Sequence, residues 1–175
     1  AFYPEGGHLI AGTKANVAFE ATNELGEHVS IAGTVGGKTI KTEHEGRGVF
    51  TIDVPESGRL KAHFHYGEND YDIDLPKTEK VGCALSVNVE EDAVQANVTL
   101  RGERTDVDYV AVVLSQGMLK VFKRFRAQAN DHATISIDTD ELPSGVSDLI
   151  IFDYKGRPMA DRLFFVNHHD NDYAQ

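Results

Sequence analysis

The 175-residue chain is long enough for one large domain or two small ones. Its 28 acidic and 17 basic residues leave a net charge of −11, which repels phosphate backbones and argues against a nucleic-acid partner. No apolar run approaches the roughly 18 residues that span a bilayer, and Cys83, the single cysteine, excludes an internal disulfide.

In chain order, the first residues, "AFYPEGGHLIAGTKANVAFEAT", carry neither a start methionine nor a charged and apolar leader, so an export signal is expected upstream in a longer product. Hydrophobic side chains then recur with period two, the mark of strands with one face on a core. "NVAFEA" sets Val17, Phe19 and Ala21 on one side, "VFTIDV" does so with Phe50, Ile52 and Val54, and "RLKAHFHY" with Leu60, Ala62, Phe64 and Tyr66. Arg59, Lys61, His63 and His65 take the opposite, solvent face of that last strand. Turn residues at Gly6-Gly7, "ELGEH", Gly36-Gly37, "EGRG", "PESG" and "YGEND" separate about seven strands before Pro76.

"DLPKTEKVG" interrupts the pattern with a proline and alternating charges, and it reads as a domain boundary. Beyond it, "CALSVNV", "AVQANVTL" and "ATISID" alternate again, and Cys83 reads as a small core residue beside Leu85 and Val87. "YVAVVLS" is apolar on both sides, as in the middle of a sheet or under an interdomain contact. "SDLIIFD" and "DRLFFVN" flank "YKGRP" as a hairpin, giving about seven strands again and no segment with a helical period. The expected fold class is therefore all-β, two tandem Ig-like antiparallel sandwiches at residues 1–77 and 82–168, with 169–175 as a linker or tail.

The motifs that carry chemistry are few. "VGGKT" ends like a phosphate-binding loop, but Ala32 stands where the first glycine belongs and "TIKTE" follows as a strand, so it reads as a hairpin turn. No Gly-x-Ser-x-Gly frames Ser115 or Ser144, and no catalytic residue is assigned. Lys120, Lys123, Arg124 and Arg126, interleaved with Phe122 and Phe125, read as edge-strand charges that discourage pairing with another chain. His63 and His65 point the same way, yet a metal would need a third ligand from His8, His28 or His44. The "GENDYDID" stretch offers Asp70, Asp72 and Asp74, with Glu68, as oxygen ligands for calcium, and "DTDE" offers Asp138, Asp140 and Glu141, both without the spacing of an EF-hand. A glycan would use exposed aromatics, but tryptophan is absent and Tyr3, Tyr66, Tyr71 and Tyr109 are scattered along the chain. Asn97-Val98-Thr99 matches a glycosylation sequon in mid-strand.

"FYPEGGHLIAGTKANVAFEATNELGEHV" resembles the start of a macroglobulin-like domain of large envelope proteins of Bacteroidetes, through Phe2, Pro4, Glu5, Gly6, Gly7, Gly12, Val17, Phe19, Ala21 and Gly26. Gly46, Gly48 and Phe50 of "TEHEGRGVFTIDV" are similar to that family's Gly-x-Gly-x-Phe hairpin. In the second half, "ELPSGV" and "FDYKGRPMADRLFFVN" resemble the Leu-Pro-x-Gly and Asp-x-x-Gly-x-Pro-x-Ala-x-Arg-Leu-x-Phe-Val pattern of the domain that follows. The likeness implies macroglobulin-like sandwiches in a multidomain periplasmic or surface protein, in some relatives joined to a TonB-dependent receptor plug. The reactive thioester of true macroglobulins needs Cys-Gly-Glu-Gln; this chain has "GCAL", so covalent protease capture is not implied. The expected role is a non-catalytic structural and protein-interaction module without a cofactor, its partners being domains of the same chain or of the envelope. The alternative is a calcium- or glycan-binding module.

Overall fold

A computed structural model describes residues 1–104, 106–127 and 132–169. From residue 170 onward the expected tail lies outside these described residues. The protein is all-β: among the described residues, sixteen strands and a single 3-10 turn, Thr139–Glu141, make up the regular structure. No helix among the described residues is long and apolar enough to cross a membrane. The backbone separates into two compact units, Ala1–Lys80 and a second one from Val81 onward.

The first unit contains β1 (Phe2–Pro4), β2 (Leu9–Ile10), β3 (Lys14–Glu20), β4 (Ala32–Val35), β5 (Lys38–Lys41), β6 (Arg47–Asp53), β7 (Lys61–Tyr66), β8 (Asn69–Asp74) and β9 (Thr78–Glu79). Three strands form one antiparallel sheet in the order β1-β3-β6, and four form another in the order β5-β4-β7-β8. Val17, Phe19, Phe50 and Ile52 from the first sheet and Val35, Ile40 and Ala62 from the second share one buried core, so the unit is a sandwich. The seven strands expected before Pro76 are these; β2 adds an eighth, pairing in parallel with β9 inside the stretch read as a boundary. The "VGGKT" stretch is indeed a hairpin: Gly36 and Gly37 take φ of 53° and 82° between paired Val35 and Lys38, left-handed values that favour glycine in a two-residue turn.

The second unit contains β10 (Gly82–Val89), β11 (Ala93–Arg101), β12 (Tyr109–Ser115), β13 (Met118–Phe125), β14 (His132–Asp138), β15 (Gly145–Phe152) and β16 (Pro158–Val166). Its sheets run β10-β11-β14 and β13-β12-β15-β16 around a core that includes Leu85, Val94, Val98, Val113, Ile135, Leu149 and Phe164. Counted without β2 and β9, strand for strand, this is the order of the first unit. β12, apolar on both sides, is an inner strand between β13 and β15, and the basic cluster of β13 lies on an edge. Tyr109 is fully buried, and its hydroxyl donates to the Arg104 carbonyl, so the ring fills core volume while its polar tip stays satisfied. Burial pushes that hydroxyl up to about 12.

Candidate functional site

β7 builds the site because its inward face outruns the core. Leu60 and Ala62 are buried, Phe64 is half-buried, and Tyr66 at the end of the strand is exposed. Antiparallel pairing with β8 sets Ala62 opposite Ile73 and Phe64 opposite Tyr71, and the latter two rings stack 5.3 Å apart. Across from them, Phe2 and Phe19 of the other sheet complete an apolar groove of about 500 Å³, bordered by residues 20–25. Leu25 stands at this border, 82% exposed, on a turn tied by the Asn23 side chain, whose oxygen accepts the backbone N–H groups of Leu25 and Glu27 at 3.0 Å. Glu20 and Glu24 give the rim a negative charge.

The opposite face of the same hairpin holds the predicted calcium ligands. Asp70, Asp72 and Asp74 do share one side of β8, as alternation requires, and each faces a basic residue of β7. His65 Nδ1 lies 2.7 Å from Asp70, His63 Nδ1 contacts Asp72, and Asp74 has Arg59 at 3.7 Å and Lys61 at 3.9 Å. The row is thus a ladder of cross-strand acid–base rungs. His8, His28 and His44 do not join it; they stand beside Glu79, Glu20 and Glu45. Among the described residues, no three or more His, Cys, Asp or Glu side chains gather closely enough to hold a metal ion. In "DTDE", Asp138 caps the 3-10 turn, its carboxylate accepting the Asp140 N–H at 2.9 Å.

Several of the residues that carried the family resemblance pack or turn the chain. Phe2, Phe19 and Phe50 form a three-ring cluster with centroids 5.9 to 6.3 Å apart. A Cβ on Gly48 would stand 2.6 Å from the Phe19 ring, so only glycine admits that ring. In "FDYKGRP", Asp153 is 4% exposed and its carboxylate accepts the N–H groups of Lys155 and Arg157 at 2.9 Å and the Arg157 guanidinium at 2.8 Å. Burial alone would raise this carboxyl, but the Arg157 and Lys155 bonds outweigh it and hold it below its ordinary value. Cys83 is buried, and desolvation first, with Glu103 second, pushes its thiol up to about 12, which keeps it unreactive in the folded chain.

The sequence reading found the acidic row and its histidines but missed the groove. Tyr66 and Tyr71, scattered along the chain, line one cavity only through the strand register, and the fading burial of an alternating face was the one available signal.

No protein-family model matches the sequence, and neither does any curated protein. Among solved structures, the chain is similar to the D0-D1 domain of intimin at 10% identity and a TM-score of 0.37, covering 95% of this chain and 98% of that one. It is also similar to a DUF3823 family protein from Parabacteroides merdae at 8% identity and a TM-score of 0.35, covering 94% of each chain. A further similarity is to a putative carbohydrate binding protein from Bacteroides uniformis, with 9% identity, a TM-score of 0.32, and coverage of 95% of this chain and 98% of that one.

Proposed function

We propose that the chain is a non-catalytic module of a larger envelope protein, periplasmic or at the cell surface, made of two macroglobulin-like sandwiches at residues 1–77 and 82–168. The observation that carries this reading is where the motif residues go: Phe2, Phe19, Gly48, Phe50 and Asp153 are consumed by ring packing and a turn, and none is left to converge on a reactive centre. The groove then supplies the contact. Its floor is apolar and its rim carries Glu20 and Glu24, which suits an extended apolar protein segment with basic flanks, from the same envelope machinery or a TonB-dependent receptor. A photo-crosslinking side chain at position 25 of the full-length protein, in its own cells, is expected to capture one discrete envelope protein. Tyr71→Glu should abolish that product, and indifference to Tyr71→Glu sinks the reading.

The second reading is a ligand-binding module, for calcium on Asp70, Asp72 and Asp74 or for a glycan on the stacked Phe64–Tyr71 pair. Calcium would have to compete with His63, His65, Arg59 and Lys61 for those carboxylates. A thermal midpoint that rises with calcium concentration would favour it over the first reading.

A further inference from the structure

The outer face of the sheet β13-β12-β15-β16 is apolar where its counterpart in the first unit is polar. At the matching positions β7 and β8 present Lys61, His63, His65 and three aspartates, so the fold itself does not demand an apolar face there. In the second unit, pairing sets Phe122, Val112, Ile150 and Asp161 in one row across the four strands, and Leu119, Leu114, Asp148 and Leu163 in the next. Phe122 and Leu163 are each 55% exposed. A depression of about 430 Å³ opens on this face, with Val112, Phe122 and Arg124 in its lining.

The charges on the face sit at opposite sides. Arg124 lies on the β13 edge, opposite Val110, and its neighbour Asp108 is engaged by Arg126 at 2.8 Å. Asp148 and Asp161 lie on the other two strands, close enough that Asp161 helps burial to raise the Asp148 carboxyl above its ordinary value. The two carboxylates make an acidic corner, and a guanidinium suits it because it brings several N–H donors and the opposite charge.

We propose that this face is the two-fold contact of a homodimer, in which Arg124 of each copy meets the Asp148–Asp161 pair of the other across an apolar centre of Val112, Phe122 and Ile150. The face is self-complementary: a two-fold axis lying in the contact plane near its centre exchanges the cationic corner with the acidic one, so both copies are satisfied at once. A second copy is favoured over a foreign partner because the matching cation is already on the same surface. Four strands about 4.8 Å apart give a footprint at the small end of specific interfaces, so association is reversible and concentration-dependent.

Sedimentation of the 175-residue chain over a concentration series tests this. The expected result is a shift from the 19.2 kDa monomer toward twice that mass. Arg124→Asp and Asp161→Arg should each be monomeric at concentrations where the parent pairs, since each places like charges together. Mixed in equal amounts they should pair again, because each copy then supplies the charge the other lacks. Circular dichroism confirms that the variants are folded, and Leu163→Ser, which alters no charge, should also weaken pairing if a reversed charge prevents folding. A parent that stays monomeric into the millimolar range, folded single variants that pair as well as the parent, or a mixture that stays monomeric overturns the proposal.

Discussion

The two units share a strand order yet treat the last hairpin of their four-stranded sheets in opposite ways. In the first unit the outward face of β7 and β8 is a ladder of acid–base rungs, and the inward face runs out into an open groove. In the second, the inward residues Leu149, Ile151, Ala160 and Phe164 are buried, and the outward face is apolar. One topology thus offers two places to leave hydrophobic surface uncovered: at the open end between the sheets, or on the back of one of them. Side-chain choice at alternate positions decides which, and with it what kind of surface can be offered to a partner.

The largest test of this contrast is truncation of matched inward residues. Leu149→Ala, in the closed core, should cost about 3 kcal/mol, whereas Phe64→Ala, already half in solvent at the groove, should cost about 1 kcal/mol. Urea unfolding followed by circular dichroism measures both, and equal losses would mean that the groove is as well packed as the core.

Next in size is the turn of the last hairpin. Asp153→Asn removes a buried charge from three hydrogen bonds and should destabilise the second unit by about 2 kcal/mol at neutral pH. The sign with pH follows from its lowered folded value. The stabilisation is complete above the ordinary aspartate value of 3.8 and is lost as pH falls below it toward the folded value. The parent's advantage over the Asn variant should therefore shrink on acidification; an advantage that grows instead would contradict the assigned hydrogen bonds.

The smallest effect belongs to the ladder. His63 and Asp72 are more than half exposed, so a double-mutant cycle with His63→Ala and Asp72→Ala should give a coupling below about 1 kcal/mol. A larger coupling would make the ladder a structural clamp rather than a solvated face.

Much of the fold was legible because alternation is a local signal: Val17, Phe19, Phe50 and Ile52 lie inward as their spacing requires, and "VGGKT" and "YKGRP" turn where glycine permits. What escaped depends on register and depth. The parallel pairing of Leu9–Ile10 with Thr78–Glu79 involves two residues on each side, too few to leave a period. Tyr66 and Tyr71 meet at the groove through a pairing that no spacing encodes. For Asp153, the burial of a carboxylate among its own donors is invisible in one dimension.

Cys83 gives the molecule a built-in stopwatch. Its sulfur lies in the second sandwich with a thiol held near 12, so a neutral alkylating reagent can modify it only when that sandwich opens. The labelling rate then reads the opening of one half of the chain alone, through a native side chain, and leaves the first half silent.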